Sequence, residues 1–249
     1  MSMEAVAFVS PFARACQAAH LLGRACEHVN QHPSSPDAEF HFQEALQISR
    51  AVQALLTMIN QESERAGSNR PKLFTARALA YSALFTLYDV HSCVEPGEVE
   101  TVGGHRGLRI DVQRHAIDGF KQVTAEMLGF AEEIEQSSCA SGGLERMPLV
   151  VLFAMHSTAG IYAWYARETG AEKTLKDLAY MRRVMGALSP KWGVACELFN
   201  PFLCFEEAHR RAVCSAQCDW KWLLRTSQDR ADISCSTISR NSRRSGILI

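Results

Sequence analysis

The stretch that decides the fold is LFTARALAYSALFTLY, residues 73–88. Arg77 is its one charged residue, and apolar side chains fall on every side of a helix with 3.6 residues per turn. A helix that is apolar all round is usually buried between neighbours. We therefore expect a helix opened by Pro71 to lie at the centre of an all-α fold.

A first helix precedes this stretch. Ser10-Pro11 offers a hydroxyl cap followed by proline at a position that needs no N–H, and Asn30 marks the end. Apolar residues recur along it at three- and four-residue steps, which predicts a buried stripe that leaves Arg14 outside. The stripe consists of Phe12, Ala15, Cys16, Ala19, Leu22, Cys26 and Val29.

The same periodicity predicts further helices on both sides of residues 73–88. They are marked by Phe42, Ala45, Leu46, Val52, Leu56 and Ile59; by Ile117, Phe120, Val123, Met127, Ala131 and Ile134; by residues 147–169 with Gly170 as C-cap; and by Leu175, Leu178, Met181, Met185 and Leu188. Residues 95–109 are predicted to be a loop, and residues 137–143 a linker. Because no segment alternates with a period of two, we predict a multi-helix bundle of antiparallel helices.

Composition narrows the class of protein. Of 249 residues, 47% are hydrophobic and 21% charged, which is typical of globular chains. The 26 basic and 27 acidic residues give a net charge of −1, which argues against binding phosphate backbones by bulk charge. The apolar runs fall short of the ~18 residues of a membrane span, so we expect no membrane partner. Nine cysteines without a C-x-x-C pair indicate reduced, buried thiols in an intracellular protein.

The pattern changes near the C-terminus. Residues 198–249 carry eight Lys and Arg against five Asp and Glu, four of the nine cysteines and a Ser/Arg-rich end, with no sustained period. We predict an all-helical domain over residues 8–197 and an irregular, poorly ordered tail over residues 198–249.

Spacings typical of metal ligands are few. The candidate pairs are Cys16/His20, His28/His32, Glu206/His209 and Cys214/Cys218. Two ligands do not make a closed zinc site, and a core thiol beside a polar histidine is the simpler interpretation. We therefore predict no metal-binding, cofactor-binding or catalytic residue, and no cofactor.

Catalytic motifs are also missing from the sequence: it has no G-x-S-x-G, no phosphate-binding glycine loop and no H-E-x-x-H. Residues 103–107 (GGHRG) are better explained as a flexible loop, and the acidic run at 132–135 as a solvated face. Tyr162, Trp164 and Tyr165 could line a pocket, but aromatic residues at helical spacing are more often core. We predict that the chain is not an enzyme.

Four segments together resemble a known family. SPFARACQAAHLLGR at 10–24 resembles the P-F-x-R-x-C-Q-A-x-x-L-L-G-R helix of fungal zinc binuclear cluster transcription factors. ARALAYSALFTLY at 76–88, YAWYARETG at 162–170 and LSPKWGVACE at 188–197 are similar to later segments of the same regulators, in the same order.

The resemblance implies the regulatory region of a fungal gene-specific transcription regulator, of the kind that controls secondary metabolism. In that family a separate six-cysteine zinc cluster binds DNA, and this chain has none, so the resemblance implies a truncated form without direct DNA binding. It further implies a nuclear location, protein partners in the transcription machinery or a full-length regulator, and room for a small-molecule effector. The alternative is a helical small-molecule binder or scaffold without catalytic activity.

Overall fold

The computed structural model describes residues 9–31, 38–92, 106–139 and 147–188. Within these ranges the chain is helical and forms no strand, which confirms the all-α prediction. The elements are α1 (Pro11–Val29), α2 (Ala38–Ala66), a 3₁₀ helix (Gly67–Leu73), α3 (Phe74–Ser92), α4 (Arg106–Cys139), α5 (Leu149–Thr169) and α6 (Glu172–Leu188). The predicted tail over residues 198–249 and the end of the predicted domain over residues 189–197 lie outside the described residues.

The third helix occupies the centre, as its apolar run predicts. It packs against α1, α2, α4 and α5, and most of its side chains are buried. The ring of Phe74 meets that of Phe130 edge-on, at 5.2 Å between centroids. The predicted start at Pro71 is wrong, because Pro71 lies inside the 3₁₀ helix and α3 begins at Phe74.

The ends of α1 lie where the sequence predicts them. The Ser10 hydroxyl accepts a hydrogen bond from the N–H of Ala13 at 3.2 Å, and Asn30 caps the other end. Ser10 therefore satisfies one of the N–H groups that a helix leaves without a partner in its first turn.

The buried face of α1 differs from the predicted stripe. Its buried residues are Arg14, Ala18, Ala25 and His28, whereas Phe12 is 79% exposed and both Cys16 and Cys26 are exposed. The two alanines allow α1 to lie close against α3. The two buried polar residues, Arg14 and His28, form hydrogen bonds with carboxylates of α2. The predicted burial of these two thiols is therefore wrong.

The fourth helix is longer than expected at both ends. Residues 106–109, predicted as loop, form its first turn, and it continues to Cys139 within the predicted linker. Its acidic run is not simply a solvated face. Glu133 accepts a hydrogen bond from Arg77 of α3 at 2.7 Å, and Glu135 accepts one from Tyr180 of α6 at 3.1 Å.

The fifth helix ends as predicted at Gly170, whose φ of +60° is the left-handed conformation that favours glycine at a helix C-terminus. The helix is also long and apolar enough to cross a membrane, by length and composition alone. Half of that apolar window is buried against the rest of the protein, and core helices of soluble proteins pass the same test.

Candidate functional site

Three histidines converge from three helices. His28 lies in the last turn of α1, His41 in the first turn of α2 and His91 in the last turn of α3. One ring nitrogen of each lies within 4.8 Å of the others. Among the described residues this is the one group of three or more histidine, cysteine or acidic side chains close enough to share a metal ion.

His28 contacts both other members of this histidine cluster. Its Nε2 lies 2.9 Å from Nε2 of His91, and its Nδ1 lies 3.0 Å from a carboxylate oxygen of Glu44. Its ring stacks on that of His41, with centroids 3.9 Å apart and planes 15° apart. His28 is 1% exposed, so these partners take the place of water.

Glu44 fixes the tautomer of His28. The hydrogen bond from His28 is the largest cause that lowers the pKa of Glu44, and Arg24 lowers it further against the opposing effect of burial. The ionised carboxylate can only accept hydrogen bonds, so Nδ1 of His28 carries the proton. In the neutral ring, Nε2 of His28 is then the acceptor of the hydrogen bond that Nε2–H of His91 donates.

The other two rings are held neutral. Burial, and secondarily the Coulombic effect of the neighbouring His28, lowers the pKa of His91 to about 3 and that of His41 to about 4. The ring of Phe42 adds an apolar neighbour, 5.9 Å from His41 and 6.3 Å from His91 between centroids. Neutral imidazole is the form that binds metals.

The sequence singled out only one member of this cluster. His28 was paired by spacing with His32, which lies outside the described residues. Cys16 and His20 are exposed on α1 and belong to no such group within the described chain. The pairs Glu206/His209 and Cys214/Cys218 also fall outside the described residues, as do positions 103–105 of the predicted glycine loop.

A second polar group looks catalytic at first sight. Ser49 Oγ lies 2.7 Å from Nε2 of His115 and 2.9 Å from the Tyr88 hydroxyl, which also accepts a hydrogen bond from Gln53. A serine–histidine contact is the first requirement for a nucleophile. Ser49 is fully buried, however, so its hydroxyl is not accessible to a substrate, and its hydrogen bonds tie α2, α3 and α4 together.

The aromatic group of α5 divides into core and surface. Tyr162 is buried and donates its hydroxyl to the carbonyl of Thr124 on α4 at 3.0 Å. Trp164 and Tyr165 are partly exposed, with ring centroids 4.9 Å apart. Tyr162 is therefore a core residue, in agreement with the simpler of the two interpretations.

Comparison with known proteins adds no relative to these observations: no family model, curated protein or solved structure matches this chain. The histidine cluster is thus the strongest candidate site on geometry alone.

Proposed function

We propose that residues 8–197 are the regulatory region of a fungal gene-specific transcription regulator, in a truncated form without its own zinc cluster. It acts in the nucleus through contacts with the transcription machinery or with a full-length regulator, and it catalyses no reaction. The observation that carries the proposal is the ordered series of four segments that resemble this family.

Three of the four resembling segments lie on helices, which agrees with the all-α region that the resemblance implies. The segments at 10–24, 76–88 and 162–170 lie within the described residues, on α1, α3 and the end of α5. The segment at 188–197 lies outside them, apart from its first residue.

The distinctive side chains of these segments hold helices together. Arg14 of α1 donates to both carboxylate oxygens of Glu62 on α2, at 3.0 and 3.1 Å from its Nε. Arg77 of α3 lies over the ring of Phe130 on α4, 4.3 Å from its centroid. Side chains used in this way specify a framework, which fits a domain that acts through its surface rather than through a reactive centre.

Two experiments on the purified full chain test this proposal. In an electrophoretic shift assay we expect no sequence-specific binding to DNA, and a discrete shifted band would contradict this expectation. In co-precipitation from fungal nuclei we expect the chain to associate with full-length regulators of this family. Failure to associate with any of them would count against the proposal.

The alternative, a scaffold or small-molecule binder, is favoured by one observation: Trp164 and Tyr165 are partly exposed and adjacent. The Trp164→Ala variant tests whether this aromatic pair contributes to association with a full-length regulator. Association with a full-length regulator should survive this change if the domain acts through other surfaces. A regulator that binds only the unchanged chain would instead show that this aromatic pair is part of the interface.

A further inference from the structure

We propose that His28, His41 and His91 form a binding site for one transition-metal ion of the Zn²⁺ class, with Glu44 positioning His28. This inference goes beyond the proposed function and does not depend on it, since it rests on the geometry of the histidine cluster alone. It replaces our sequence-based prediction that the chain has no metal ligand.

The contact between His28 and His91 can be converted into a shared ion site by reorienting the two rings. Their Nε2 atoms are 2.9 Å apart, so without a metal the two lone pairs can approach only if one proton lies between them. Two nitrogens bound to a tetrahedral Zn²⁺ at about 2.0–2.1 Å are about 3.3 Å apart. The two nitrogens need to separate by only a few tenths of an ångström, but the rings, whose centroids lie 5.2 Å apart, point at each other nearly head-on and must also tilt so that their lone pairs converge on the ion.

His41 supplies the third nitrogen after a larger movement. Its ring is stacked on His28, so the lone pairs of the two rings lie in nearly parallel planes and do not yet converge. The candidate ligand atoms nevertheless lie within 4.8 Å of one another. A turn of the His41 ring about its Cβ–Cγ bond brings a nitrogen toward the shared point, and we expect metal binding to break the stack.

Glu44 supplies the outer hydrogen bond that metal-binding histidines commonly make. Histidine ligands almost always donate their second N–H to a carboxylate, a carbonyl or water, which fixes the ring and increases its basicity. Glu44 accepts that bond from Nδ1 of His28, and an ion pair with Arg24 holds the carboxylate in place. His28 is thus already buried, in the required tautomer and held in a fixed orientation before any ion binds.

The ligand type defines the class of ion. Imidazole nitrogens suit Zn²⁺, Co²⁺, Ni²⁺ and Cu²⁺, whereas Mg²⁺ and Ca²⁺ prefer oxygen ligands. Three protein ligands leave a fourth position for water or an external ligand. A bound ion would also join the ends of α1, α2 and α3, so binding should raise the melting temperature of the domain.

The test is a Zn²⁺ titration of the full chain against a chromophoric chelator. The cysteines are first alkylated, because nine thiols could bind zinc on their own. We expect one ion per chain, a higher melting temperature with Zn²⁺ and no such change with Mg²⁺. Co²⁺ in place of Zn²⁺ should give the visible absorption bands of a nitrogen-ligated ion.

Variants assign the binding to these residues. We expect His41→Ala and His91→Ala to abolish one-to-one binding, and Glu44→Gln to weaken it about 10–100-fold. His20→Ala is the matched control, since His20 is exposed on the same helix as His28 and should leave affinity unchanged. Helical circular dichroism shows which variants remain folded.

Two results would overturn the proposal. The first is the absence of Zn²⁺ binding by the folded, alkylated chain. The second is unchanged one-to-one affinity in folded His41→Ala and His91→Ala variants, which would place the ion elsewhere. Neither result bears on the association with regulators that tests the proposed function.

Discussion

Gly119 of α4 faces the ring of Tyr88 of α3 so closely that a Cβ atom at position 119 would lie 2.4 Å from Cε2 of that ring. The ring cannot move away freely, because its hydroxyl is held by Ser49 and Gln53 of α2. Glycine at this position therefore allows α3 and α4 to approach each other next to the buried hydrogen-bond network.

We expect Gly119→Ala to destabilise the domain by about 1–3 kcal/mol, the usual cost of forcing extra atoms into a packed core. The matched control is Gly129→Ala on the same helix, where a Cβ meets nothing within 4 Å. That change should stabilise the helix by about 0.5–1 kcal/mol, since alanine is the better helix former. Urea unfolding followed by circular dichroism measures both, and equal shifts would show that the contact with Tyr88 is not tight.

Leu84→Asp should unfold the domain, because Leu84 is 1% exposed on the central helix and the change would bury an unpaired charge. Leu175→Asp is the control, since Leu175 of α6 is 44% exposed and its carboxylate would stay in water. Thermal melts should show no cooperative transition for the first variant and a nearly unchanged one for the second. A normal melting curve for Leu84→Asp would mean that α3 is not central.

Glu62→Gln should lower the free energy of unfolding by about 1.5–3 kcal/mol, the range for hydrogen bonds to charged groups. The change removes the carboxylate that neutralises the buried Arg14, and Gln17 remains as a partner at 2.9 Å. Asp111→Asn serves as the comparison, because its ion pair with Arg114 is exposed and worth about 0.3–0.5 kcal/mol. If chemical denaturation gives the same loss for both variants, the Arg14–Glu62 pair does not support α1.

Acidification should weaken the fold in part through His115. Burial, and secondarily the charge of Arg50, lowers its pKa below the usual 6.5, while Asp118 opposes the shift. Below about pH 6.5 His115 is protonated in the unfolded chain, whereas in the folded chain it stays neutral until the pH reaches its lower pKa. The unfolded state therefore binds more protons in this range, and the free energy of unfolding falls as the pH falls. Gln in place of His115 can still bond to Ser49 but does not titrate.

The free energy of unfolding is measured for the wild type and for His115→Gln between about pH 7.5 and pH 5. This range spans the pKa of a histidine in the unfolded chain, about 6.5. We expect a shallower decline for the variant. The other buried histidines act equally in both proteins, so the difference isolates His115. Parallel curves would contradict a lowered pKa at this position.

The fold could be predicted from the sequence where a local pattern decides it. The all-round apolar run at 73–88 identified the central helix, and Ser10 and Gly170 marked two helix ends correctly. The face of α1 could not be predicted in this way. A hydrophobic pattern gives weight to large residues such as Phe12, whereas close packing against α3 selects the small Ala18 and Ala25.

The candidate site could not be predicted because its members meet only in the folded chain. His28, His41 and His91 come from three helices and share no spacing that a local motif could show. Arg14 also falls outside the predicted apolar stripe, although it is buried in the fold, where Glu62 of the next helix accepts its hydrogen bonds. In both cases the partner of a buried polar group lies far away in sequence.

The most direct test of the regulatory proposal is a tethered reporter assay in a fungal cell. The full chain is fused to an unrelated DNA-binding domain, and transcription is compared with that domain alone and with the Leu84→Asp fusion. We predict that the wild-type fusion changes transcription and that the Leu84→Asp fusion does not. A wild-type fusion that accumulates in the nucleus yet leaves the reporter at the level of the DNA-binding domain alone would contradict a regulatory role.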